Sequence, residues 1–390
     1  MNRDPVIVSA VRTAIGRQGG ALANVPAHVF GAEVIKEAVK RAKIKPEMVE
    51  DVIFGNVLSG GGNIARLTAL QTGLSLGLPG LTVDRQCGSG LNAVAIAAQA
   101  IRAGEGDIYI AGGTESMSQA PYLMDRPERA YSPVPPTFRK SQLAPESIGS
   151  PPMGITAENL AEKYNITRAE QDEYALRSQQ RMATAMEEGH FDEQIVPISV
   201  PRRKQEPFIF DTDEHPRPNS SLDVLAKLPP AFSKKGSVTA GSSSGLNDAA
   251  SALVIMSRER AKMLGLTPLA TVHQTAVAGV DPNIMGIGPV PATQKVLDKA
   301  KMKLEDMDII ELNEAFAAQV LACDRELHFN PEKLNVNGGA IAHGHPLGAT
   351  GAILTTKTVY ELLRSNQRYA LITACIGGGQ GIATIIENEQ

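Results

Sequence analysis

Of the three cysteines in this 390-residue chain, two stand where chemistry would need them. Cys87 lies in Asp84-Arg85-Gln86-Cys87-Gly88-Ser89-Gly90, between the strand-like run Leu81 to Asp84 and the Ala-rich segment Leu91 to Ala103. That segment has helix-forming composition and no proline, so Cys87 is expected at a strand-to-helix turn. Free N–H groups and the positive end of a helix favour an anion there, and a thiol near its usual ~8.5 is drawn down toward a nucleophilic thiolate. A lone cysteine is more often a packed core residue, so the turn by itself does not establish catalysis.

The surroundings add to it. Cys375 opens the turn Cys375-Ile376-Gly377-Gly378-Gly379-Gln380-Gly381, and a third Gly-rich stretch runs from Asn337 through His343-Gly344-His345-Pro346 to Gly348. Asn313-Glu314-Ala315-Phe316 places an amide and a carboxylate at the start of a helix. Brought together, these turns supply what acyl transfer needs: a thiol, a base to activate it and N–H donors for a developing oxyanion. A second thiol beside the first is unusual for a hydrolase and suits a separate proton transfer. Cys323, mid-helix between Ala322 and Asp324, is given no role. His343 and His345 lack metal-site spacing relative to the cysteines, so no metal is expected.

The elements that must position these turns alternate. Val6–Val11, Asp51–Gly55, Leu81–Asp84 and Asp107–Gly112 have strand character. His28–Lys43, Ile64–Leu76 and Leu91–Ala103 have helical spacing between them. Such alternation implies an α/β fold with a mostly parallel sheet. From Ser118 to Gly236 the pattern breaks: 15 of the 25 prolines fall there, with Arg202-Arg203-Lys204 and Lys234-Lys235 as solvated charge runs. One helix, Arg168 to Glu188, is expected in this insertion, opened by Thr167 with Glu170 in a capping box.

A second series then starts. Strands are expected at Leu269–Val277, Asp308–Leu312, Leu334–Asn337, Ala370–Cys375 and Ile382–Glu387, with helices at Pro291–Ala300, Ala315–Leu327 and Gly348–Leu363. It copies the first. Ala42-Lys43-Ile44-Lys45 leading to Asp51-Val52-Ile53-Phe54-Gly55-Asn56 is echoed by Ala300-Lys301-Met302-Lys303 leading to Asp308-Ile309-Ile310-Glu311-Leu312-Asn313. The chain is thus two duplicated βαβαβαββ halves, with the proline-rich insertion in the first. The domains expected are 1–117 plus 246–267, the insertion 118–245, and 268–390.

Composition narrows the partners. Net charge is −4 with both signs mixed, which offers no basic surface for nucleic acid or membrane. No apolar run approaches the ~20 residues of a membrane span, and the N-terminus has no signal-peptide layout, so a cytoplasmic location is expected.

In combination these motifs closely resemble the thiolases. Thr114-Glu115-Ser116-Met117-Ser118, Thr239-Ala240-Gly241 and Met285-Gly286-Ile287-Gly288-Pro289-Val290-Pro291 match as well, and the resemblance runs the whole length. It implies a thiolase-like fold of layered α/β sheets with a loop domain. It also implies acyl-CoA:acetyl-CoA C-acyltransferase chemistry on acetyl-CoA, 3-ketoacyl-CoA and CoA, with CoA thioesters as substrates and no other cofactor. Cys87 would carry the acyl group, His345 would activate it, and Cys375 would move the second proton. The Cys87 and Gly377 amides would form one oxyanion hole; His345 and a water on Asn313 would form the other. Ser244 matches the pantetheine-contacting serine, and Arg217 falls where the family often has an arginine near the nucleotide end. Met153, Met285, Ala315 and Phe316 would line the substrate site. The resemblance implies a homodimer or homotetramer. Condensation and thiolysis are both open, as is acyl length. Two departures bear on length: His343 stands where an apolar residue is usual, and Pro152 where many acetoacetyl-CoA-forming members have histidine.

Two rivals remain at this level. A β-ketoacyl synthase shares the duplicated fold and cysteine nucleophile but has no second catalytic cysteine. A non-catalytic CoA- or lipid-binding protein would keep the fold and dispense with Cys87.

Overall fold

The computed structural model describes residues 3–127, 129–131, 133–139 and 141–390. Positions 1, 2, 128, 132 and 140, which fall within the expected first half and insertion, lie outside the described residues. The first half comprises β1 (Pro5–Thr13), α1 (Ala27–Arg41), β2 (Asp51–Gly55), α2 (Ile64–Gln71), β3 (Gly80–Val83), α3 (Ser89–Ala103) and β4 (Ile108–Ser116). After the insertion it closes with β5 (Asn247–Ser257). The insertion carries α4 (Met153–Lys163), α5 (Arg168–Glu187) and a hairpin, Ile198–Arg202 with Gln205–Phe210. The second half comprises β6 (Ala270–Gly279), α6 (Pro289–Ala300), β7 (Ile309–Leu312), α7 (Ala317–Leu327), α8 (Leu347–Ser365), β8 (Tyr369–Ile376) and β9 (Gln380–Asn388).

The duplication is visible in the sheet. Its order is β3-β2-β4-β5-β1-β6-β9-β8-β7, so each half reads the same way outward from the central β1–β6 pair. That pair is short and antiparallel, Val6 opposite Thr271 and Ile7 opposite Ala270. One apolar cluster gathers Leu91, Val94 and Ile101 of α3 with Leu354, Val359 and Leu362 of α8, and with strand residues from both halves. Separate clusters pack α1 and α2 on one half and α6 and α7 on the other. The α3/α8 pair is therefore shared by both halves of the sheet, and each half packs its own outer helices.

Several expectations change. The sheet is mixed, because only β2–β3, β2–β4 and β7–β8 among the main pairs are parallel. The turn Gly377–Gly379 between β8 and β9 is too short for a crossover, so those strands run antiparallel. Leu334–Asn337 is not a strand. Asn335 adopts φ 48° and its side chain takes the ladder's place, accepting from Leu312 N–H at 2.9 Å and donating to Leu312 C=O at 3.0 Å. Only a bridge from Ile310 to Leu334 remains. Helix α2 stops at Gln71, ahead of the left-handed Gly73 (φ 69°). In the insertion α5 has the expected capping box, Glu170 N–H to Thr167 Oγ1 and Thr167 N–H to Glu170 Oε2. Helix α4 was not legible, since Pro151-Pro152 reads as loop and yet serves as its start.

Candidate active site

Cys87 follows β3 and directly precedes the N-terminal turn of α3; His345 precedes α8 in the same way. These two helix starts touch backbone to backbone. A Cβ on Gly90 would lie 2.7 Å from Ala352 N, and one on Gly351 would lie 2.2 Å from Leu91 N. Glycine at these positions lets the helices close to a distance that no other residue permits. The turn carrying Cys87 is held by Gln86 at φ 45° and by Ser89, whose hydroxyl accepts from Arg85 N–H and donates to Gln86 C=O.

The backbone N–H groups of Gly377 and of Cys87 itself act to favour the Cys87 thiolate. Against the expectation, the thiol is not drawn down: burial pushes it up to about 11, with Glu115 and Asp84 adding to the rise. Desolvation of the thiolate outweighs the two N–H groups and the helix end. Cys375 is fully buried, and its thiol is also raised, first by burial and then by Cys87, which lies close enough to be felt electrostatically. Cys323, by contrast, donates to Gly286 C=O at 3.3 Å within the α7 core.

His345 is buried, and burial lowers it to about 4, so the imidazole is neutral. Its Nδ1 lies 2.7 Å from Thr350 Oγ1, its Nε2 lies 3.5 Å from Asn313 Nδ2, and its backbone N–H donates to Asn247 Oδ1 at 2.9 Å. Gly344, at φ 97°, brings the chain against Asn247, whose side chain fills the space a Cβ would take. At rest the His345 imidazole is therefore neutral and the Cys87 thiol protonated.

Two buried carboxylates hold the loops. Glu115 accepts from the N–H groups of Val57, Leu58, Ser59 and Gly348, the last at 2.9 Å, and so fixes the start of α8 against the first half. Glu314 accepts from Tyr174 and Ser178 of α5, from Asn335, and from Ile341 N–H, and so ties the insertion to the His345 loop. Charged acceptors satisfied this fully are worth more than neutral ones.

Met285, Ala315, Phe316 and Cys375 share one apolar cluster, with Met153 packed against it. Met153 also reaches Gly377: its sulfur lies 3.5 Å from where a Gly377 Cβ would be. Ser244 N–H donates to Ala315 C=O at 3.0 Å, so Ser244 adjoins the same wall. Arg217 is not brought in: it sits exposed with its N–H on Gln179 Oε1. Among the described residues no hydrogen bond or ion pair joins it to the other named groups. His343 is buried with Nδ1 on Gly344 C=O, and its Nε2 has no partner among the described residues. Among those residues no three His, Cys, Asp or Glu side chains group as a metal site would require.

Sequence reasoning missed Thr350, Asn247 and Leu143, whose side chain approaches Gly377. None belongs to a Gly-rich turn, and only the Thr350 spacing, one helical turn beyond His345, offered a signal.

Comparison with known proteins agrees with this geometry. Residues 5–259 match the model of the thiolase N-terminal domain and residues 266–388 that of the thiolase C-terminal domain. An acetyl-CoA acetyltransferase of Escherichia coli (strain K12) is 51% identical over 389 residues, covering 98% of each chain. One from Cupriavidus necator is 47% identical over 391 residues, covering 99% of this chain and 100% of its own. The crystal structure of human mitochondrial 3-ketoacyl-CoA thiolase in complex with CoA superposes with a TM-score of 0.93 at 44% identity, covering 100% of this chain and 98% of that one. With both halves matched and the relatives spanned end to end, the chain belongs to the thiolase family.

Proposed function

We propose that the chain is an acyl-CoA:acetyl-CoA C-acyltransferase working by a ping-pong route through a thioester on Cys87. The observation that carries this reading is the packing of the Cys375–Gly377 turn on the Cys87 turn: a Cβ on Gly88 would lie 2.6 Å from Ile376 Cδ1, and one on Gly377 would lie 3.8 Å from Gln86 Cγ. In the first half-reaction His345 Nε2 takes the Cys87 proton as the sulfur attacks the acyl thioester carbonyl. The oxyanion is received by the Cys87 and Gly377 N–H groups, and the CoA sulfur leaves as a thiolate that then takes the proton of Cys375, while His345 keeps the one from Cys87. In the second, the Cys375 thiolate so formed takes a proton from the methyl of acetyl-CoA, the resulting carbon attacks the Cys87 thioester, and the Cys87 sulfur leaves with the proton held on His345. His345, with a water on Asn313, stabilises the enolate oxygen. In reverse, Cys87 attacks the 3-keto carbonyl, the departing acetyl-CoA carbanion takes the proton of Cys375, and the Cys375 thiolate then takes the proton of the incoming CoA thiol, which releases the acyl group from Cys87. Splitting one difficult carbon–carbon step through a covalent intermediate is the gain of this route.

Relatives named acetyl-CoA acetyltransferase and a neighbour named 3-ketoacyl-CoA thiolase support CoA thioesters as substrates. They do not favour the synthase or non-catalytic readings. Met153, Met285, Ala315 and Phe316 form the acyl and pantetheine wall in this reading, with Ser244 on the pantetheine and Arg217 toward the nucleotide. The proposed division is 1–117 plus 246–267, 118–245 and 268–390, with the middle segment gripping CoA. The active unit proposed is a homodimer or homotetramer in the cytoplasm. Among the described residues no helix is long and apolar enough to cross a membrane.

The test is Cys87→Ala. Thiolysis of acetoacetyl-CoA should fall by at least about 10³-fold, since removing a nucleophile costs more than any single supporting group. The mass increment of an acyl group on the wild-type chain should vanish with it. Turnover near wild type, or an acyl adduct persisting on the variant, overturns the assignment. Thiolysis rates across a series of 3-ketoacyl-CoA lengths then fix the preferred chain.

A further inference from the structure

The ring of His345 is useful as a base only if Nε2 carries the lone pair, and the structure contains a device that decides this. Thr350 lies in the first turns of α8, one helical turn beyond His345. Its hydroxyl stands 2.9 Å from the Pro346 carbonyl and 2.7 Å from His345 Nδ1, and it is fully buried. A carbonyl only accepts, so the single hydroxyl proton is directed to Pro346 and the oxygen is left to accept from Nδ1–H. The other end of the ring agrees. Nε2 faces Asn313 Nδ2 at 3.5 Å, a group that only donates and therefore suits a lone pair. With the hydroxyl turned the opposite way, N–H on Nε2 would meet the Asn313 amide donor to donor in a buried site.

We propose that Thr350 is a positioning residue for acyl transfer: by accepting the Nδ1–H of His345 it fixes the tautomer that presents Nε2 to the reacting thiol. This rests on the reading of His345 as the base that activates Cys87. Thr350 is assigned no contact with substrate or sulfur, and acts only through the imidazole. A threonine is needed for chemistry rather than shape, because valine fills the same space and leaves a buried Nδ1–H without an acceptor.

The experiment compares Thr350→Val, Thr350→Ser, His345→Ala and the double variant Thr350→Val/His345→Ala in the full-length protein. The rate of Cys87 acylation by acetyl-CoA is read in a single turnover, and ring tautomers are read by ¹⁵N NMR of histidine-labelled protein. Thr350→Val is expected to slow acylation by about 10- to 100-fold, a part of the ~10²–10⁴-fold that a positioned general base supplies. Thr350→Ser should stay within about threefold of wild type, because it keeps the hydroxyl. In the His345→Ala background Thr350→Val should cost nothing more, as expected of two groups acting as a unit. The proposal is overturned if Thr350→Val acylates at the wild-type rate, or if it loses the same factor with and without the imidazole. It is also overturned if the wild-type spectrum shows His345 protonated on Nε2, a result independent of whether any variant folds. Should His345→Ala itself acylate near the wild-type rate, the base assignment fails. If His345→Ala is inactive while Thr350→Val is not, only the role of Thr350 fails.

Discussion

The backbone N–H of Gly377 favours the charged form of the Cys87 sulfur, although the two residues belong to opposite halves of the duplicated chain. The proximity exists because β8 ends beside the start of α3: a Cβ on Gly88 would lie 2.6 Å from Ile376 Cδ1. It places a donor beside the reacting sulfur without producing a resting thiolate, since burial still holds the thiol at about 11. A donor so placed is of most use to charge that develops during reaction.

Cys375→Ala should separate the two half-reactions. The variant is expected to acquire the acyl group on Cys87 at close to the normal rate, seen by mass spectrometry, and to lose condensation and thiolysis by at least about 10²-fold, the range of a missing acid–base group. Equal losses in acylation and in the second step would remove Cys375 from its assigned place.

Acid sensitivity should carry a His345 component. Its folded value is about 4 against 6.5 for the free side chain, so between these pH values the unfolded chain binds more protons. Stability therefore falls as pH drops from about 6.5 toward 4, with a slope of up to about 1.4 kcal/mol per pH unit from this group. His215 and His343 are lowered by burial as well and act in the same direction. The measurement is urea unfolding across that window for wild type and His345→Asn, where the variant should show the shallower dependence. Identical slopes would mean that the imidazole is not held neutral by the fold.

Glu115→Gln should destabilise the protein by about 2–4 kcal/mol, because an amide nitrogen then faces N–H groups that now point at a carboxylate. Val57, Leu58, Ser59 and Gly348 supply those groups, so the start of α8 should loosen together with the 57–59 loop. Denaturant midpoints and amide exchange at Gly348 and Ala349 check this. A change under about 0.5 kcal/mol, typical of an unimportant surface site, would contradict it.

His343→Leu should be neutral or stabilising by about 1–2 kcal/mol, since the buried Nε2 has no partner among the described residues and an apolar side chain removes that burden. Thermal unfolding of the two proteins under one set of conditions decides it. A marked loss of stability would show that the imidazole is satisfied by a bound water or neighbour in solution.

Much of this was legible in the chain itself. The duplication shows because Ala300-Lys301-Met302-Lys303 and the strand after it repeat the pattern of residues 42–56, and the sheet order follows that repeat on both sides of the β1–β6 pair. The Thr167 capping box and the four Gly-rich or Asn-containing turns are local patterns of residue type and spacing, and local patterns survive without knowledge of the fold. What tertiary structure decided depends on groups far apart in sequence. The direction of the Cys87 shift is one case: the helix start argues for a lowered thiol, and the burial imposed by neighbouring layers overrules it. The loss of the Leu334 strand is another, since the Asn335 side chain satisfies Leu312 in place of a backbone ladder. Above all, no spacing rule announces that Asn247, 98 residues away, would hold the His345 backbone. Hydrogen-bond partners inside a desolvated pocket are chosen by which loops the core forces together.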